Sequence, residues 1–168
     1  MKLRLAPITF ACIATASALS GFAAATQAAS SQEASLGKAT MRFDGTTLRV
    51  STGVIERQWQ VTKRGLATVA LQDLATGRVW GEEARSECDW MLPGLPSEGA
   101  TAELKSITSK ESDDEGFTTK HLEVVSEWEY PGAGLRVRHV VWAYPGAAGL
   151  RTALELKRSG AGAIDVTV

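Results

Sequence analysis

The chain has 168 residues, with 18 lysines and arginines against 19 aspartates and glutamates, for a formal net charge of −1. It has no long run of basic residues, which argues against nucleic acid and anionic membrane surfaces as partners. Residues 29–168 are long enough for one domain with a core, and Cys88 is their only cysteine, so packing must hold this part together without an internal disulfide.

The N-terminal 28 residues have the pattern of a secretory signal peptide. Lys2 and Arg4 give a short positive region, and residues 5–25 form an uncharged stretch of small and apolar side chains. Small residues at 25–29 then predict cleavage after Ala28. An uncleaved membrane anchor is the weaker alternative, because the segment is rich in Ala, Ser and Thr and lacks a positive stop-transfer flank. We therefore expect an exported protein, periplasmic or extracellular.

The exported part is predicted to be all-β. Residues 29–38 are small and polar and predict a disordered lead-in. From residue 39 onward, segments rich in Val, Leu, Thr and Trp are separated by Gly, Pro and Asp turns, which is typical of an antiparallel β-sandwich. We expect one such domain over residues 39–168. The predicted strands cover residues 39–43, 48–51, 54–62, 66–74, 79–80, 102–109, 117–130, 135–144 and 150–158.

The register of the last three strands follows from their side chains. If the turn at 131–134 sets Tyr130 opposite Leu135, one face of the hairpin is apolar and the other pairs glutamates with arginines, whereas a one-residue slip would put charges on the apolar face. The predicted pairs are Trp128–Val137, Val124–Val141, Leu122–Ala143, Glu129–Arg136 and Glu127–Arg138, then Val137–Leu156 and Arg138–Glu155 in the next hairpin. The predicted core face carries Leu122, Val124, Trp128, Val137, Val141, Leu154 and Leu156.

No catalytic residue, metal ligand or cofactor site is predicted. The carboxylates fall in an acidic turn at 111–116, on a strand opposite arginines, and in a linker, so none forms an evident glycosidase pair. The acidic turn lacks the spacing of a calcium loop. His121 and His139 lie on neighbouring strands but not opposite each other, and we expect His139 to be a partly buried, hydrogen-bonded imidazole. Cys88 is expected to be a bystander rather than a reactive thiol.

Tryptophan is the compositional oddity, because all five lie beyond the signal peptide, at 59, 80, 90, 128 and 142. Trp59 and Trp128 fall in apolar register and are expected in the core. Trp142 is predicted on the outward face opposite Glu123, and Trp90 lies in an irregular stretch. Trp90 and Trp142 are therefore the candidates for exposed carbohydrate contacts, although an interface with another domain would explain them equally well.

The C-terminal hairpins resemble a known domain. The stretch Tyr-Pro-Gly-Ala-Gly-Leu-Arg-Val at 130–137, with Tyr-Pro-Gly at 144–146 and Leu-Arg-Thr-Ala-Leu-Glu-Leu at 150–156, resembles the N-terminal β-supersandwich domain of melibiase-type α-galactosidases. In that domain a Gly-Leu strand runs to an aromatic-Pro turn, and a strand carrying Arg follows. Residues 53–57 and 71–80 are also similar to the opening strands of such domains, so the similarity covers residues 40–160.

The resemblance implies a supersandwich-like domain that precedes a (β/α)₈ barrel holding two catalytic aspartates, so no active-site residue carries over to this chain. Two departures stand out. Arg-Ser-Gly at 158–160 replaces the usual Asn-x-Gly turn, and the chain stops within 164–168, which look like the first residues of a new strand. The resemblance therefore implies an incomplete sandwich with an exposed edge that needs a partner.

Three hypotheses follow. The leading one is a non-catalytic N-terminal β-sandwich domain of an exported α-galactosidase-like glycoside hydrolase, inactive alone, whose partner is a missing catalytic domain. The alternative is a free-standing carbohydrate-binding module that uses Trp90 and Trp142. The third is a ligand-free structural or assembly domain of the cell envelope.

Overall fold

The computed structural model describes residues 31–81, 88–90 and 101–158. They form two antiparallel sheets, which confirms the predicted all-β sandwich. The first sheet runs in chain order through β1 (Gln32–Leu36), β2 (Ala39–Phe43), β3 (Thr47–Ser51), β4 (Ile55–Thr62), β5 (Gly65–Asp73) and β6 (Val79–Trp80). The second has the order β10-β9-β8-β7 and contains β7 (Glu103–Ser112), β8 (His121–Tyr130), β9 (Leu135–Ala143) and β10 (Arg151–Arg158).

Helical structure in the described residues is limited to a 3₁₀ turn at Pro131–Ala133, between β8 and β9. The described part of the chain contains no helix of the length and apolarity that crossing a bilayer requires. The signal peptide predicted over residues 1–28 and the strand start predicted at 164–168 lie outside the described residues.

The first strand corrects one prediction. Residues 29–38 were expected to be a disordered lead-in, but Gln32–Leu36 pairs along its whole length with β2. Ala34 and Leu36 pack against the core, so alternate positions of this polar segment bury their side chains. The segment contains few large apolar side chains. As an edge strand it has only one neighbour, β2, and pairing with that neighbour is enough to order it.

The predicted register of the second sheet is confirmed throughout. Tyr130 pairs with Leu135, and every pair predicted between β8 and β9 and between β9 and β10 is present. The start of one strand differs markedly from the prediction. The strand predicted over 117–130 begins only at His121, because Asp114 and Glu115 adopt left-handed backbone angles in a turn that leaves Phe117 88 % exposed.

The two sheets pack face to face with an offset that leaves one side open. Strand β1 lies over β7 and β8, β2 over β8, and β3 over β9. Strands β4 and β10 line a common cleft, and β5 and β6 line a second cleft with the loop that precedes β10. The core lies under the closed side and is formed by Ala39, Met41, Phe43, Leu48, Val50, Trp59, Leu66, Trp90, Ile107, Leu122, Val124, Trp128, Val137 and Val141.

The open side corrects the predicted core face. Leu154 was expected in the core, yet it is 40 % exposed, and Leu156 is only partly buried. Both project from the correct face of β10, so the register is right. The second sheet ends at β10 among the described residues, and no described strand continues that layer beyond its edge.

Candidate functional site

A concave surface lies where the sheets diverge, and we call it the open side. It contains a cleft of about 700 Å³ and, meeting it at Arg57, a smaller one of about 330 Å³. Its walls come from the inner face of β4, β5 and β6 and from β10 with the loop before it. The lining residues are Ile55, Arg57, Thr68, Leu71, Trp80, Asp89, Trp90, His139, Leu150, Thr152 and Leu154.

Asp89 is the polar anchor of the open side. Its Oδ2 accepts hydrogen bonds from Arg57 Nη2 at 2.7 Å and from the indole nitrogen of Trp59 at 2.9 Å, and also from the hydroxyl of Thr68. Its Oδ1 accepts from the Thr68 amide at 2.7 Å. The carboxylate therefore satisfies the indole N–H of a fully buried tryptophan and fixes segment 88–90 against the first sheet.

Arg57 carries the charge that faces the cleft. Its Nε and Nη2 donate to the Thr68 hydroxyl, and its guanidinium lies 4.8 Å from the centre of the Trp59 ring. The Arg57 and Asp89 side chains are 28 % and 22 % exposed. Arg57 Nη1 has no hydrogen-bond partner among the described residues, so this fixed donor is available to a molecule in the cleft.

His139 lies at the inner end of the cleft, and its hydrogen bonding differs from the prediction. It is buried as predicted, with its ring 5.8 Å from that of Trp59 and 5.4 Å from that of Trp90. Its Nδ1, however, has no hydrogen-bond partner in the described structure. Burial, with a smaller contribution from the nearby Arg57 guanidinium, lowers the pKa of His139 to about 4, so the imidazole is neutral at neutral pH.

Trp90 is buried, which corrects the expectation that it is exposed. It is 5 % exposed and donates to the Tyr130 hydroxyl at 2.8 Å, and that hydroxyl donates to the Arg64 carbonyl at 2.6 Å. The ring lies against Gly65, where an added Cβ would come within 2.4 Å of the indole. Burial raises the pKa of Tyr130 to about 12, which keeps the hydroxyl protonated. Trp90 therefore ties the two sheets together and offers little surface to a sugar.

Trp142 lies on the outer face opposite Glu123, as predicted. It is partly buried, because the Arg151 guanidinium stacks 4.8 Å from its ring centre and its indole nitrogen donates to Glu123 at 3.3 Å. The two carbohydrate candidates from the sequence are thus on different faces of the second sheet and do not form one site. Trp59 and Trp128 are buried in the core, as expected.

Trp80 is the functional candidate that the sequence did not single out. It is 40 % exposed, lies opposite Leu71 on the inner face of the edge strand, and has the Arg78 guanidinium 5.1 Å from its ring centre. A strand of two residues gives no periodicity from which to assign a face. Only the offset between the sheets shows that this tryptophan opens onto the cleft.

Among the described residues, Cys88 and the carboxylates with a shifted pKa lack the signs of a nucleophile or a general acid. Burial raises the pKa of Cys88, whose thiol donates to the Trp90 carbonyl at 2.8 Å, in agreement with a bystander role. The pKa values of Asp44, Asp73 and Glu129 are held below their usual range, each by hydrogen bonds to the charged form. A glycosidase general acid requires a shift in the opposite direction.

The outer face of the second sheet carries the predicted ladder of paired charges above a depression of about 660 Å³. Arg138 binds Glu155 at 2.7 Å, and Glu129 lies 3.0 Å from Lys105 and 3.8 Å from Arg136. Because both signs alternate and neutralise each other, this depression has no dominant charge with which to attract a ligand.

Comparisons of this chain with protein-family models, with curated proteins and with solved structures find no match. The geometry of the open side, rather than a relative, has to carry the functional argument.

Proposed function

We propose that this chain is a non-catalytic β-sandwich domain of an exported α-galactosidase-like glycoside hydrolase, and that its open side packs against another domain of that enzyme. Export is supported by the N-terminal pattern, and the enzyme class by the resemblance of the C-terminal hairpins to supersandwich domains.

The observation that carries the proposal is the unequal size of the sheets. The inner face of a sandwich strand is the side that faces the core. On β6 and β10, no described residue covers this face. Trp80 and Leu154 are each 40 % exposed at those positions. Inward-facing apolar side chains that reach solvent mark a surface designed to be covered.

The composition of the open side fits a domain interface. Trp80, Leu71 and Leu154 supply an apolar centre, and Arg57 supplies a charged group already oriented by Asp89. Trp and Arg are the residues that most often dominate binding energy at interfaces. The paired charges on the outer face of the second sheet, in contrast, have the character of a solvated surface.

The first test is the reading frame beyond the codon for Val168. A continuing sandwich followed by a barrel with two inward-facing aspartates would support the proposal. An immediate stop followed by unrelated sequence would refute the enzyme assignment. The same gene product also tests export, because mass spectrometry of the secreted protein should find an N-terminus at Ala29.

The second test uses the encoded barrel, expressed separately and mixed with this domain. The wild-type domain should form a 1:1 complex in analytical ultracentrifugation, and Trp80→Ser should weaken it about 30-fold or more, the level of an interface hot spot of about 2 kcal/mol. Phe117→Ser is the matched control, since Phe117 is 88 % exposed in the distant β7–β8 turn. Equal binding by both variants would exclude the open side as the interface.

A second candidate function is a free-standing carbohydrate-binding module, favoured by one specific feature of the cleft. Trp80 and Arg57 combine an apolar ring with a fixed hydrogen-bond donor, which is the chemistry that sugar recognition requires. Titration of the wild-type domain with galactosides should then change its tryptophan fluorescence, and Trp80→Ala should remove the change while Trp142→Ala leaves it. No response to any glycan would refute this candidate without affecting the domain-packing proposal.

A further inference from the structure

A second site, independent of the open side, lies at the end of the second sheet where β7 turns into β8. Asp114 in the turn and His121 and Glu123 on β8 bring one potential ligand atom each to within 4.8 Å of one another. His121 is fully buried and Glu123 is 8 % exposed. His121 and Glu123 are thus buried polar groups, which need hydrogen-bonding or charged partners.

The orientation of His121 shows which nitrogen faces the cluster. Its Nδ1 lies 3.0 Å from the Thr119 carbonyl oxygen, which can only accept a hydrogen bond. In the neutral imidazole Nδ1 therefore carries the proton, and Nε2 has a lone pair. That Nε2 is buried and without a hydrogen-bond partner among the described residues, and it lies 3.7 Å from Asp114 Oδ1. A lone pair facing a carboxylate oxygen is repulsive unless a cation or a proton lies between them.

The surrounding contacts hold the carboxylates in place. Asp114 Oδ2 accepts from the Thr118 hydroxyl at 3.0 Å, which leaves Oδ1 toward the histidine. Glu123 accepts from the Trp142 indole at 3.3 Å, lies 3.3 Å from Nζ of Lys110, whose side chain is 64 % exposed, and lies 3.7 Å from Arg138 Nη2. A backbone carbonyl on the far side of an imidazole is also the arrangement that commonly orients a metal-binding histidine.

We infer that Asp114, His121 and Glu123 bind a divalent transition-metal ion of the zinc class. A tetrahedral ion with bonds of about 2.0–2.2 Å separates its ligand atoms by roughly 3.3 Å, so the 3.7 Å from Nε2 to Asp114 Oδ1 needs only a small contraction. The imidazole ligand favours zinc over magnesium or calcium, which take oxygen donors. Three protein ligands would leave a fourth position for water.

The test is metal binding by the full exported chain, measured by calorimetry with Zn²⁺ and by the visible absorption of Co²⁺. We expect one ion per chain and a cobalt spectrum of tetrahedral intensity. His121→Gln should weaken binding by more than the 10–100-fold that loss of an outer-shell partner costs. His139→Gln is the matched control, because His139 is the other buried histidine of the same sheet and lies on its opposite face. It should bind as the wild type does.

Two further measurements keep the inference falsifiable if His121→Gln does not fold. Asp114→Asn changes a partly exposed turn residue and should also weaken Zn²⁺ binding. Nitrogen-15 NMR of the wild type should show the His121 Nε2 resonance shift on adding Zn²⁺. The inference is overturned if the folded wild type binds no ion, if Asp114→Asn binds like the wild type, or if Nε2 carries a proton toward Asp114 with Zn²⁺ present.

Discussion

The neutral imidazole of His139 makes the stability of this domain depend on pH. Its pKa in the folded chain is about 4, because burial disfavours the charged form, whereas an exposed imidazole titrates near 6.5. Between these values the unfolded chain binds a proton that the folded chain does not bind. The free energy of unfolding therefore falls as pH falls from about 6.5 to about 4. A difference of roughly 2.5 pKa units at about 1.4 kcal/mol each sets a limit of about 3.5 kcal/mol, of which about 3 kcal/mol is lost by pH 4.

The perturbation that isolates this effect is His139→Leu, which keeps a buried side chain of similar size and removes the titration. Urea unfolding of both proteins from about pH 7.5 to about pH 4.5 gives the difference in their free energies of unfolding at each pH. Carboxylates such as Asp44 titrate in the same way in both proteins, so their contributions cancel in this difference. We expect the difference to shift in favour of the variant by about 2–3 kcal/mol over this range. A difference that stays constant with pH would refute the reasoning, because it would mean that His139 takes up its proton without unfolding.

Three further substitutions test the contacts at the open side. Tyr130→Phe should lower the free energy of unfolding in urea by about 1–3 kcal/mol, because it leaves the buried indole N–H of Trp90 without an acceptor. A loss below about 0.5 kcal/mol, the size expected for a surface substitution, would contradict this. Asp89→Ala should cost at least about 2 kcal/mol by removing the acceptor of several donors, whereas Glu155→Gln, on the exposed ladder, should cost less than about 1 kcal/mol. Equal losses would show that Asp89 is not an anchor. Gly65→Ala should lower the melting temperature and red-shift tryptophan emission. The φ angle of Gly65 is +137°, and the new Cβ would meet Trp90 at 2.4 Å. An unchanged emission maximum would contradict the packing of the Trp90 ring.

The second sheet could be predicted residue by residue because its two faces differ in chemistry. Val124 and Val141 must share one face and Glu127 and Arg138 the other, so a single register satisfies both. Strand β1 could not be predicted in this way. Its side chains are small and polar, and what orders them is an available edge on β2, which only the assembled sheet provides.

The open side could be predicted only in part. An incomplete sandwich was expected from the resemblance, and the structure adds where the two sheets diverge and that Trp80 lies there. The burial of Trp90 and the network around Asp89 depend on contacts between residues about 20 to 40 positions apart, in a segment with no periodic pattern. Local sequence carries no information about such contacts, because they are set by how the sheets pack.

The two proposed sites lie on opposite faces of the second sheet, and this separates their tests. The open side uses the inner face, where Trp80 and Leu154 meet the cleft, whereas His121 and Glu123 project from the outer face of β8. Strands β8 and β9 are each paired on both sides, so a continuous sheet separates the two sites. Trp80→Ser should therefore leave Zn²⁺ affinity unchanged, and a loss of both domain packing and metal binding in that variant would mean that the domain itself had unfolded.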